Sequence, residues 1–162
     1  RVRQAFYQAI DIEGIQKTVM RGASRPTALM VGPGVNGFSE ALNKRPAFDI
    51  EASKKLLAEA GYPNGFEVTM NCPNDRYVND ARICQAVAAN LARANIKINL
   101  AAETKGTYFP KILRRDTSFY MLGWTPTTYD AHNALSALTR CPDDKGAGQF
   151  NLGAYCNPEL DK

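Results

Sequence analysis

The stretch FEVTMNCPNDRYVNDARICQAVAANLARANIKINL, residues 66–100, decides the fold. Phe66, Val68 and Met70 alternate with Glu67 and Thr69, the period of two that marks a strand with one buried face. From Asp80 to Ala94 the apolar residues Ile83, Cys84, Val87, Ala88, Leu91 and Ala94 recur at helical spacing. After Asn95 the period returns to two at Ile96, Ile98 and Leu100. A helix that carries the chain back to where the first strand began makes the second strand parallel to it, through a right-handed crossover. The expected fold class is therefore α/β, a mixed sheet with parallel strands flanked by helices.

The same signals extend on both sides. Upstream, Asp49 caps a predicted helix over 50–60, which stops at Gly61 with Pro63 just beyond. Val2, Ala5, Phe6, Ala9 and Ile10 line one face of a helix predicted over about 2–21. Between these helices the Gly- and Pro-rich residues 22–46 form a loop too long for a tight connection, one expected to wrap a surface. Downstream, a short helix is predicted over 108–114 and a helix over 131–139. Residues 119–124 read as a third strand of the same sheet, central because it carries little charge. The first helix is under way at residue 2 without a cap. Asn157-Pro158-Glu159 starts a helix just before the last residue, so a piece of a longer protein is expected.

Composition narrows the function classes. The chain has 162 residues, 44% of them hydrophobic, and 20 Lys+Arg against 16 Asp+Glu leave a formal charge of +4. That charge is weak and interleaved with acids, which argues against a nucleic-acid surface. No run of about 18 apolar residues is present to span a membrane. The four cysteines include no CxxC pair, and His132 is the single histidine, so zinc-ligand spacing is missing. Cys141 and Cys156 bracket a loop rich in Gly, Asp and Lys that a bridge would stabilise by roughly 3 kcal/mol, so this disulfide, and with it an oxidising compartment, is expected. For Cys72 and Cys84 a buried thiol and a bridge are both open.

No nucleophile elbow, zinc-protease helix, P-loop or dinucleotide fingerprint occurs, which argues against an enzyme and against a bound cofactor. The informative segment is Gly123-Trp124-Thr125-Pro126-Thr127-Thr128-Tyr129-Asp130-Ala131-His132-Asn133. A strand delivering Trp and then a loop with Tyr and Asp at its carboxyl end stands where open parallel sheets take ligands. Aromatic faces and one carboxylate suit a small polar solute. The competing reading makes Trp124 core and Asp130 the N-cap of the next helix.

Several motifs in order carry a resemblance. They are Val2-Arg3-Gln4-Ala5-Phe6 continuing to Ile15, Phe48-Asp49-Ile50-Glu51-Ala52 with Lys55 to Pro63, Gly123-Trp124, and Asn151-Leu152-Gly153-Ala154-Tyr155-Cys156-Asn157-Pro158-Glu159. Together they resemble the extracellular solute-binding proteins of the peptide/nickel type, the periplasmic receptors of ABC importers. The resemblance implies a periplasmic binding protein-like lobe. Residues 1–162 would be the greater part of the C-terminal lobe of a two-lobed receptor, inserted between the portions of chain that build the other lobe.

The resemblance also implies site residues. Peptide binders of the family place an acid four residues after the Gly of Gly-Trp, and here that position is Thr127; Asp130, three places on, is the substitute carboxylate. An arginine and a tyrosine ahead of the long helix match Tyr77, with the arginine one place displaced at Arg76. Trp124, Thr127, Tyr129, Asp130, Arg76 and Tyr77 are thus the candidate ligand-binding set, and Cys141 with Cys156 matches a pair that some members carry. The implied partners are a peptide or other small polar ligand, the permease subunits and the other lobe. Two further readings are an acid/base hydrolase or transferase built on Asp130 and His132, and capture of a metal or metal chelate through His132.

Overall fold

The structure is a computed structural model that describes residues 1–161. Its sheet is built on β1 (Phe66–Pro73), which pairs in parallel with β2 (Ile96–Glu103) along its whole length, from Phe66 opposite Ile96 to Pro73 opposite Glu103. That register sets Val68 beside Ile98 and Met70 beside Leu100, so the apolar positions of both strands share one face. The helix between them, α4 (Asp80–Ala92), covers this face with buried Cys84, Val87 and Leu91. The strand–helix–strand reading of residues 66–100 holds, and each strand runs three residues longer than its alternation showed.

The third strand joins the same sheet, but differently from expectation. β3 is only Phe119–Tyr120, pairs in parallel with β1 at Met70 and Asn71, and lies at the edge in the order β2-β1-β3. Met121 N still donates to Asn71 O over 3.1 Å, after which Gly123 and Pro126 leave no regular ladder. Phe119 and Met121 lack charge because they pack against the core, not because they are central. The central strand is β1, whose last four residues are all buried.

The predicted helix over 2–21 is two helices, α1 (Val2–Ala9) and α2 (Ile12–Thr18). Ile10 is extended, with φ −94° and ψ 113°, and the Asp11 carboxylate accepts from Gly14 N at 2.8 Å, capping the second helix. A short acidic side chain that can satisfy a free backbone N–H competes with continuation of the first helix. α1 packs against α3 (Ile50–Glu59), where the buried Ser53 hydroxyl donates to Ala5 O at 2.8 Å. Asp49 caps α3 as expected, accepting from Ala52 N at 2.9 Å. Phe6 carries α1 onto the sheet through Phe66 and Phe119, with ring centroids 5.9 and 5.1 Å apart.

Two further helices are α5 (Lys105–Leu113) and α6 (Ala131–Leu138). The chain forms two compact parts. One comprises residues 1–26, 46–109 and 117–121; the other comprises 27–45, 110–116 and 122 onward. In the first, the buried Tyr108 hydroxyl donates to Met121 O. Cys72 and Cys84 form a disulfide there, their Cα atoms 6.6 Å apart. In the second, Cys141 and Cys156 are bridged as expected, with Cα atoms 4.8 Å apart. The buried Asn151 side chain donates to Arg140 O, just ahead of that loop, and to Tyr155 O within it. Among the described residues no helix is long and apolar enough to cross a membrane.

Candidate functional site

Arg76 and Tyr77 stand together on the loop that follows β1. Three anchors shape it. Asn74 N donates to Glu103 O at 2.9 Å, and Asp75 accepts from Lys105 N at 2.6 Å. Asp80, 4% exposed, then turns its carboxylate back to accept from Arg76 N (2.9 Å), Tyr77 N (3.0 Å) and Ala81 N (2.8 Å). Burial alone would raise the Asp80 pKa, but the backbone N–H groups of Tyr77, Arg76 and Ala81 outweigh it and hold the carboxyl below its ordinary value. Asn79 completes the turn in the left-handed region, φ +57°. The Arg76 guanidinium lies 5.1 Å from the Tyr77 ring centroid, a cation–π approach, and Arg76 remains exposed. A positive charge is thereby presented beyond the carboxyl ends of parallel strands, where such sheets meet ligands.

Trp124, Thr127, Tyr129 and Asp130 share the loop ahead of α6. Trp124 is anchored: its indole Nε1 donates to Asn133 Oδ1 at 2.9 Å, and its ring packs edge-on against Phe150 at 5.0 Å. Asp130 caps α6, its Oδ1 accepting from His132 N at 2.8 Å and its Oδ2 from the Asn36 side chain at 2.7 Å. The His132 N–H first, and the Asn36 amide second, hold this carboxyl below its ordinary pKa. Tyr129, immediately before Asp130, has φ +52° and is 73% exposed. Thr127 is exposed. His132 reaches Asp130 through its backbone N–H, so the carboxylate organises the helix end, in contrast to the acid/base pairing considered from sequence.

The residue that the sequence reading missed is Asn36. It lies in the Gly- and Pro-rich loop and forms a parallel bridge with Asp130: Asn36 N donates to Tyr129 O and Ala131 N donates to Asn36 O, each at 2.8 Å. Its only local signal was the Asn-Gly pair 36–37, a turn marker. In the sequence Asp80 marks only a helix start; in the fold its carboxylate, three residues past Tyr77, accepts the loop's backbone donors. The loop after β1 displays a guanidinium beside an aromatic ring, and the loop ahead of α6 displays an exposed aromatic ring, a threonine hydroxyl and one carboxylate. Among the described residues no group of three or more His, Cys, Asp or Glu side chains is gathered that could hold a metal.

Known proteins share both sequence and fold. Residues 1–146 match the bacterial extracellular solute-binding proteins, family 5, middle. Heme-binding protein A of Haemophilus influenzae is 28% identical over 99% of this chain and 29% of its own. The dipeptide-binding protein of Pseudoalteromonas sp. SM9913, solved in complex with Met-Leu, superposes with TM-score 0.82 and 28% identity over 99% of this chain and 33% of its own. The periplasmic binding protein DppA of Helicobacter pylori, solved with the peptide STSA, superposes with TM-score 0.88 at 22% identity over 98% and 30%. The chain thus spans about a third of the length of these proteins. The matched residues, the motif order and the shared α/β fold lead to one conclusion: the chain belongs to the bacterial extracellular solute-binding proteins of family 5.

Proposed function

We propose that this chain is the greater part of the C-terminal lobe of a two-lobed receptor, residues 1–162, which captures a peptide or related small polar solute in the periplasm and delivers it to the permease of an ABC importer. The reading is of a binder and not a catalyst, in keeping with relatives named for what they bind. The observation that carries it is the display of Tyr129, 73% exposed, with its own backbone N–H and carbonyl and the neighbouring Asp130 carboxylate all hydrogen-bonded. A large aromatic held out on a rigid support is suited to cover a ligand at little entropic cost. Arg76 suits a solute carboxylate through a charge-assisted bond. Thr127 carries no charge, so an ammonium group falls to Asp130.

Heme and a dipeptide are the named ligands of two relatives, so family membership alone does not choose the solute. The test is the melting temperature of the intact receptor against dipeptides, longer peptides, sugars and metal chelates. A true ligand at a hundred times its Kd stabilises by about 2.7 kcal/mol. A shift with sugars or chelates and none with any peptide would overturn the peptide reading.

A further inference from the structure

We propose that Asn36 is a positioning residue for the solute-facing loop, fixing the Asp130 carboxylate with its side-chain amide and the Tyr129 backbone with its main chain. The proposal rests on the reading of that loop as ligand-facing. Asn36 is joined to it by three bonds of different kinds: side-chain amide to Asp130 Oδ2 at 2.7 Å, backbone N–H to Tyr129 O at 2.8 Å, and backbone carbonyl from Ala131 N at 2.8 Å. Together they clamp Asp130 on both sides and hold the carbonyl of Tyr129, a residue in the left-handed region that a bulky side chain avoids unless its surroundings impose it.

Gly37 makes the close approach possible. It has φ +88°, and a Cβ there would stand 2.8 Å from Ala131 Cβ, so a side chain would push the two loops apart. Asp130 Oδ1 is already engaged by His132 N, and the Asn36 amide fixes the second oxygen, which leaves one orientation of the carboxylate plane. His132, at the start of α6, is the ionisable neighbour acting on the same carboxylate. A group delivered to a ligand in one orientation binds better than one that must be ordered on binding.

The experiment is calorimetry on the intact receptor with the dipeptide Met-Leu, together with NMR titration of the Asp130 carboxyl. Asn36→Ala removes the amide, and the isosteric Asn36→Asp sets one carboxylate against another. Expected are a loss of affinity of roughly tenfold for Asn36→Ala and more for Asn36→Asp, with the Asp130 midpoint moving up in both. If the role were space-filling, the isosteric variant would bind like the parent, and that result overturns the proposal. Weakened binding in Arg76→Ala and Asp130→Ala beside unchanged binding in both Asn36 variants would sink the positioning role and leave the ligand-facing reading standing. Unchanged binding in all four would sink that reading as well. Where the parent receptor does not take Met-Leu, the titration decides alone: an unmoved Asp130 midpoint in Asn36→Asp overturns the assignment.

Discussion

Cys72, near the end of β1, is bridged to Cys84 on α4, and neither residue is exposed to solvent. The bridge closes the segment that holds Arg76, Tyr77 and Asp80, and Met121 Sδ lies 3.5 Å from Cys84 Sγ on its flank. The loop presenting the guanidinium is therefore bounded by a covalent link at its two ends.

Replacing both cysteines, Cys72→Ala with Cys84→Ala, is expected to lower stability by about 3 kcal/mol through the larger freedom of the unfolded chain. Urea unfolding measures it. A loss below about 1 kcal/mol would mean that the link adds nothing the packing does not already supply.

Asp80→Asn should cost about 1.5–3 kcal/mol at neutral pH, because the charged acceptor of backbone N–H groups is lost and an amide N–H₂ faces donors in its place. The folded pKa of Asp80 lies below its unfolded value, so its contribution is complete above that unfolded value, about 3.9, and is lost as pH falls through the folded one. The gap between parent and variant should thus be widest near pH 7 and close in strong acid. A gap independent of pH would refute the charged role.

Gly65 precedes β1 at φ +74°, and a Cβ there would collide with the backbone carbonyl of Asn95, which precedes β2. The two strand starts touch only because one has no side chain. Gly65→Ala is expected to destabilise by at least about 2 kcal/mol, from the left-handed conformation and the collision together. Thermal unfolding showing a neutral change would mean that the strand entries relax freely.

Tyr129→Gly should separate stability from binding. Glycine takes φ +52° without strain, so unfolding free energy is expected to hold or rise by about 0.5–1 kcal/mol. Affinity of the intact receptor for its solute should fall at the same time, since the exposed ring is gone. Retained affinity by calorimetry would remove Tyr129 from the site.

Arg76→Ala in the intact receptor is expected to weaken solute binding by about 1.5–3 kcal/mol while leaving the fold unchanged, as its side chain is exposed and its backbone N–H carries the anchoring bond to Asp80. On the proposed two-lobed reading, the chain of 162 residues on its own should bind the solute far more weakly than the whole receptor, because a second wall would be needed to exclude water. Equal affinity in the two would place the whole site within this lobe.

The parallel unit around β1 and β2 was legible in the sequence because alternation and helical spacing are local: which face a side chain takes depends on its own few neighbours. The Asp49 cap and the stop at Gly61 were legible for the same reason. The break between α1 and α2 had a local signal in Asp11, overridden in the reading by the apolar face that continues across it. Other features had none. An uncharged segment such as Phe119–Tyr120 packs equally well at a sheet's edge or centre, and only its pairing with β1 decides which. Asn36 and Asp130 are 94 residues apart, and no spacing rule links them. A hydrogen bond needs its atoms within about 3 Å at a suitable angle, a condition that only the folded course of the whole loop can meet.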